Sequence, residues 1–234
     1  MKAKSDALTD VRKSTPLATP RVAGRRPTAR MPASERRAQI LEKAFEFFAE
    51  YGLTAQTRAL ADACGVSQRL LYSLFPSKSA LIQAVYEADI AGVFKAIWFV
   101  QLRDRSKPVK DRLNAFYKEY YASVLTRRWM RLFLYASLAE VGLASTYIAS
   151  IITQMLEILV EEAAHDGGLA LPQDPVERQE IGWILHGSVS HLAIRRHIYR
   201  NDSHLDADKV IELQVNSFLA GLPALLAVKE PQAS

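Results

Sequence analysis

Gln68, Arg69, Tyr72 and Ser73 fall in one short segment that Ser67 opens and Pro76 closes, and they carry the chemistry of base and phosphate recognition. An arginine guanidinium pairs with guanine O6 and N7 through two hydrogen bonds, and a glutamine amide does the same for adenine N6 and N7. Tyr72 and Lys78 suit phosphate, a contact that sets register without reading sequence. Thr57 and Arg58, which open the preceding helix, and Ser67 itself complete the candidate DNA-contacting set. Catalytic constellations are missing by contrast: there is no glycine-rich phosphate loop, nucleophile elbow or paired-carboxylate motif. Three of the five histidines, His186, His191 and His197, share one predicted helix at spacings of five and six, whereas a helical metal pair needs three or four. We therefore expect no enzyme activity, no metal and no cofactor.

The elements that must position these residues are helices. Ser34 is placed to cap a first helix, whose inward face is Ile40, Leu41, Ala44, Phe45 and Phe48, and Gly52 stands at its C-terminal end. A short helix follows from Thr57 to Cys64. Gly65 and Val66 form a turn, Ser67 caps the next helix, and Phe75-Pro76 stops it, because proline disfavours helical backbone at the residue before it. Short helix, glycine turn and short helix is the arrangement that presents one helix to a DNA major groove. Burying Leu60, Ala61, Val66, Leu70, Leu71 and Phe75 leaves Gln68, Arg69, Tyr72 and Ser73 outside. The N-terminus of the next helix, capped by Ser77, adds backbone donors for a phosphate.

Charge is unevenly placed along the 234 residues. Residues 1–33 hold eight Lys/Arg against Asp6 and Asp10, so the remainder of the chain is close to neutral within a net charge of +5. Four prolines and no periodicity mark this segment as an unstructured basic arm. Arg25 and Arg26 within it have the character of minor-groove contacts; a merely solvated tail is the alternative. The single cysteine, Cys64, excludes a disulfide framework and fits a reducing, cytoplasmic setting. No leader is expected at the N-terminus. The uncharged stretch Ile181–Ile194 is shorter than the roughly 20 apolar residues of a membrane span, so no membrane partner is expected.

The run Ile40-Leu41, Ala44, Phe48, Gly52, Leu60-Ala61, Cys64-Gly65-Val66-Ser67, Leu71-Tyr72, Phe75, Ser77-Lys78 and Leu81 resembles the N-terminal domain of TetR-type regulators over about 50 residues. There are departures. The segment from Gly52 to Leu60 is one residue shorter than the commonest version, leaving Gln56 or Thr57 to cap the second helix. Arg69 replaces a residue that is often small, and Leu74 replaces a frequent phosphate-touching histidine. The helix signals along the chain give an all-α fold of about nine helices, and the resemblance implies a homodimer bound to double-stranded DNA. It also implies a C-terminal body that takes a small-molecule effector. Domains are then the arm at 1–33, the helix-turn-helix at 34–79 and the body at 80–228.

In the body, one long helix is predicted from Lys78 to about Gln101, then helices opening at Pro108 and near Trp129. Others run from Ser145 to His165, from Pro175 to about Tyr199, and from about Asp206 to Gly221-Leu222-Pro223. Aromatic residues crowd between Tyr86 and Tyr135, and Phe94, Trp98, Tyr117, Tyr120, Met130 and Met155 are the candidate effector lining. Solid core is the competing account of the same stripe. The helix from Pro175 is apolar or small on two faces and so needs two neighbours. Trp183, Gly187, Ser190 and Ile194 on it, with Val215, Phe218 and Leu222 on the last helix, are the candidate dimer contacts. Two other readings stand beside the effector-responsive regulator: a DNA-binding protein with no effector, and a helical small-molecule binder that does not read DNA.

Overall fold

The computed structural model describes residues 31–139, 142–201 and 205–227, whose regular structure is helical, with no strand among them. The helices are α1 (Ala33–Tyr51), α2 (Thr57–Ala63), α3 (Gln68–Leu74), α4 (Lys78–Tyr86), α5 (Ile97–Leu102), α6 (Val109–Ser123) and α7 (Arg127–Leu138). They continue as α8 (Leu143–Tyr147), α9 (Thr153–Asp166), α10 (Pro175–Ala193) and α11 (Ala207–Leu225). A π-helical turn extends α4 (Glu87–Ala91), joins α8 to α9 (Ile148–Ile152) and extends α10 (Ile194–Ile198).

Local chemistry explains most boundaries. Ser67 Oγ accepts the Leu70 N–H at 3.2 Å and Ser77 Oγ accepts that of Ala80 at 3.0 Å. Thr126, Asp174 and Asp206 cap α7, α10 and α11 in the same way. Each such oxygen satisfies one of the amide groups that a helix start leaves unpaired. Gly52 ends α1 at φ 77°, a left-handed conformation that costs glycine no steric clash. Two local predictions change. Ser34 lies inside the first turn of α1, which begins at Ala33, and Gln56 precedes α2 without a side-chain cap.

The predicted single helix from Lys78 to Gln101 is broken instead. Leu81, Val85 and Ile90 are all buried, but at spacings of four and then five. The π turn at Glu87–Ala91 absorbs that extra residue. The chain then leaves the helix at Gly92 and starts α5, which buries Trp98 and Leu102.

One continuous apolar core runs from Ile40 in α1 to Leu226 beyond α11, so the segments 34–79 and 80–228 share packing. α9 lies at its centre, with Met155, Ile158, Leu159 and Val160 fully buried. The helical run Leu143–Asp166 is long and apolar enough to cross a membrane by length and composition. Half of that apolar window is buried against its neighbours, as the central helix of a bundle must be. At the outer end of α9, Glu162 is buried and accepts hydrogen bonds from Arg112 at 2.8 Å and Arg105 at 2.9 Å.

Candidate nucleic-acid interface and interior cavity

α2 and α3 form the helix pair that the sequence predicts. Leu60, Ala61 and Leu71 go inward, while Gln68 and Arg69 in the first turn of α3 are exposed. Among the described residues neither side chain has an ion pair or hydrogen bond within the protein, so both are free to meet a base edge. Arg58 on α2 is exposed and free in the same sense. Tyr72 is 41 % exposed, and its hydroxyl donates to Thr57 Oγ1 at 3.3 Å, which joins the outer faces of the two helices. Ser73 is exposed but spends its hydroxyl proton on the Leu70 carbonyl at 2.7 Å.

Lys78 differs from its expected role. Its ammonium donates to the Ala55 carbonyl at 2.5 Å, and partial burial lowers its pKa, so it braces the turn before α2. Cys64 is half-buried, its thiol directed at the Ile40 carbonyl and its pKa raised by burial, as befits a packing residue. Arg25 and Arg26 lie outside the described residues.

A row of ion pairs seats this head on the body. Glu42, Glu46 and Glu50 recur every fourth residue on α1 and face Arg127, Arg128 and Arg131 on α7. Arg128 reaches Glu42 at 2.5 Å and covers the Phe45 ring at 4.1 Å. Arg127 pairs with Glu50 at 3.4 Å, and Arg131 donates to the Glu50 carbonyl at 2.8 Å. Asp89, in the π turn after α4, sits beside the junction. Burial lifts its carboxyl to about 6, with Glu42 adding to that effect and Arg128 opposing it.

The opposite face of α7 walls a cavity of about 140 Å³. Trp129, Met130, Phe133 and Leu134 come from α7, Tyr120 and Leu125 from α6 and the turn after it, and Tyr147, Ile148 and Ile152 from α8 and its π turn. α10 closes it with Trp183, His186, Ser190 and, one residue beyond, Ile194. Trp129 and Phe133 are stacked with centroids 4.8 Å apart, and Tyr147 meets both edge-on. The Trp129 indole N–H donates to the Ile90 carbonyl at 3.5 Å, which links this wall to the π turn that extends α4.

Of the six predicted effector residues, only Tyr120 and Met130 line this cavity. Trp98, Tyr117 and Met155 are fully buried in solid core, and Phe94 is packed on Trp98 and Phe99 beside it. Periodicity identifies an inward face but cannot tell which inward residues border a void. The residues that sequence reasoning missed have one visible signal: Trp129 and Phe133, four apart, share a helix with the arginines that pair with α1.

The polar part of the wall is small. Tyr120 and Tyr147 hydroxyls lie 3.5 Å apart, and burial pushes the Tyr147 phenol up to about 12. His186 is 3 % exposed; its Nε2 lies 3.4 Å from Ser190 Oγ and its Nδ1 has no partner. Burial alone drives its pKa down to about 3, so the ring is neutral. Unfolding frees it to take a proton near pH 6.5, so below that pH the unfolded chain binds more protons and stability falls with acid. Between pH 7 and pH 5 this one group costs about 2 kcal/mol. Urea denaturation at both pH values should show that loss in the native protein and its disappearance in His186→Phe; equal losses in both would show that the ring is charged or exposed.

The candidate dimer residues divide. Trp183, Ser190 and Ile194 border the cavity, and Val215, Phe218 and Leu222 are buried within the single chain, out of a partner's reach except where Phe218 floors a surface groove. Gly187 alone faces open space. The groove, about 280 Å³, runs between α10 and α11 and is lined by Ile184, Ser188, Val210, Leu213, Gln214 and Ser217. Ile184 and Leu213 are each 51 % exposed there. Gln214 donates to the Ser188 carbonyl at 2.9 Å, and its own carbonyl oxygen is buried without a partner. Both faces of α10 are apolar, and within the single chain the face of Ile184 is the one left exposed.

Comparison with known proteins places this geometry. Residues 40–85 match the family described as bacterial regulatory proteins, tetR family. A search of curated proteins finds no match. Among solved structures, a TetR-like transcriptional regulator from Rhodococcus sp. RHA1 superposes with a TM-score of 0.62 at 19% identity, covering 82% of this chain and 100% of that one. NalD of Pseudomonas aeruginosa, the secondary repressor of the MexAB-OprM multidrug efflux pump, gives 0.55 at 19% identity over 81% and 98%. The flavonoid-responsive regulator FrrA gives 0.54 at 22% identity over 86% and 100%. Residues 40–85 thus form a tetR-family helix-turn-helix domain, and the chain shares its helical fold with solved TetR-family regulators.

Proposed function

We propose that this protein is a ligand-responsive transcription regulator, a cytoplasmic homodimer that represses by binding a near-palindromic operator and is retuned by a small apolar effector. One observation carries the reading: α7 lines the interior cavity with one face and holds α1 of the DNA-binding head with the other. A molecule entering the cavity displaces Trp129 or Phe133, and the rigid helix passes that movement to Arg127, Arg128 and Arg131. Trp129 offers a second route through Ile90 to α4. The effector then biases the dimer between two head spacings, of which one fits the operator. Repression is supported by NalD, described as a repressor, and effector control by FrrA, described as flavonoid-responsive.

In this proposal Gln68 and Arg69 read bases. Thr57, Arg58, Ser67, Tyr72 and Ser73 border the contact, and Arg25 and Arg26 reach the minor groove. Selection of random duplex DNA by the purified protein should return a near-palindromic motif with half-sites roughly ten base pairs apart. Arg69→Ala should then lose discrimination at one position of each half-site, at a cost of roughly 1–3 kcal/mol. Equal weakening on every sequence would make Arg69 a phosphate contact, and failure to select any motif would refute operator recognition.

A further inference from the structure

We infer that the cavity selects an uncharged, single-ring phenol, whose ring lies against Trp129 and Phe133 and whose hydroxyl bonds His186. The inference rests on the effector reading of the cavity and deepens it. Size comes first. A dry apolar cavity of roughly 150 Å³ accepts a benzene-sized ring, and the space here is about 140 Å³.

Charge comes next. No Asp, Glu, Lys or Arg lines the cavity. An ion entering it would lose its hydration with no countercharge, a cost of several kcal/mol. The wall is otherwise aromatic or aliphatic, which favours a flat apolar body. A ring there meets the faces and edges of Trp129, Phe133 and Tyr147 at the spacings aromatic pairs prefer.

The polar group is chosen by His186. A buried ring nitrogen without a partner is costly, and buried polar atoms are almost always satisfied. His186 Nδ1 is such an atom, on a side chain that borders the cavity. The other nitrogen faces Ser190 Oγ, and the direction of that contact sets whether Nδ1 accepts or donates. A hydroxyl answers both cases, since it carries a donor and an acceptor. A ketone would satisfy only the protonated Nδ1, and a methyl group neither.

The test uses the full-length protein and matched probes: para-cresol, toluene and para-toluate. Binding is read by quenching of tryptophan fluorescence, since Trp129 and Trp183 border the cavity, and by calorimetry. Para-cresol should bind roughly tenfold more tightly than toluene, the worth of one buried hydrogen bond. Para-toluate should bind at least tenfold more weakly than para-cresol. His186→Phe should abolish the preference for para-cresol over toluene, and His186→Gln, which can donate and accept, should keep part of it. The comparison of probes on the native protein stands even if both variants fold poorly.

Equal affinity for para-cresol and toluene would overturn the role of His186, as would binding of neither. Operator binding is measured separately with and without para-cresol. If para-cresol binds with the expected preference while operator affinity stays constant, the ligand class holds and the effector reading fails.

Discussion

Changing Ile184 and Leu213 together to aspartate should convert the protein from a dimer to a monomer and weaken operator binding by about 10²–10⁴-fold. Both side chains are half exposed on the groove between α10 and α11, and in the proposed homodimer, paired through this groove, Ile184→Asp with Leu213→Asp would bring carboxylates together across the two-fold interface. Two-fold contacts place each residue near its own symmetry mate or its neighbour's, so each charge is met by another. The loss is large because a dimer binds its second half-site as an intramolecular event, which a monomer cannot do. Sedimentation gives the mass, and fluorescence anisotropy with the selected operator gives the affinity. Circular dichroism should be unchanged, since neither side chain supports the core. A dimer that survives both substitutions would move the interface to another face.

The second large effect lies at Glu162. Burial by itself would raise its carboxyl, but the hydrogen bonds from Arg105 and Arg112 outweigh burial and hold the pKa below its ordinary value. The two arginines are unequal. Arg112 is 5 % exposed and also donates to the Lys107 and Leu102 carbonyls, whereas Arg105 is an exposed residue. Glu162→Ala leaves the Arg112 guanidinium buried without a countercharge, which should cost about 3–5 kcal/mol. That is a large part of the roughly 5–15 kcal/mol that holds a typical domain folded. Arg105→Ala should cost at most about 1 kcal/mol, because its guanidinium is half exposed and Glu162 keeps its pair with Arg112. Replacing both partners, Glu162→Met with Arg112→Met, should recover most of the loss, as apolar pairs of similar size often do. Thermal and urea unfolding measure all three. If the double variant were no more stable than Glu162→Ala, the cost would come from packing and not from the unpaired charge.

Structure and function meet in α7. Thr126 caps it, Arg127, Arg128 and Arg131 commit one face to α1, and Trp129, Met130, Phe133 and Leu134 commit the other to the cavity. In the proposed mechanism this helix is the link, since a ligand that moves its cavity face would also load the face that pairs with α1. The π turns at Glu87–Ala91, Ile148–Ile152 and Ile194–Ile198 all border this region. Such turns place an extra residue in a helix and often accompany functional sites.

What the amino-acid order determined alone is whatever depends on a few neighbouring residues. Ser67, Ser77, Asp174 and Asp206 begin helices because a short polar side chain bonds the amides two or three places ahead. Gly52 and Pro76 end them through backbone geometry that no distant contact alters. The exposure of Gln68 and Arg69 follows from the same local logic, since Leu60, Ala61 and Leu71 leave α2 and α3 only one way to pack. Tertiary structure decided the rest. An apolar stripe says that a face is buried, not against what, so Trp98, Tyr117 and Met155 could not be told from Trp129, Phe133 and Tyr147 until the helices were in place. Helix α10 is apolar on both sides, and only its packing on α9 and α6 made Trp183 and Ile194 inner residues and Ile184 an outer one. Lys78 turned to Ala55 for a similar reason. A long flexible cation takes the nearest free carbonyl, and which carbonyl is near depends on how the chain folds back.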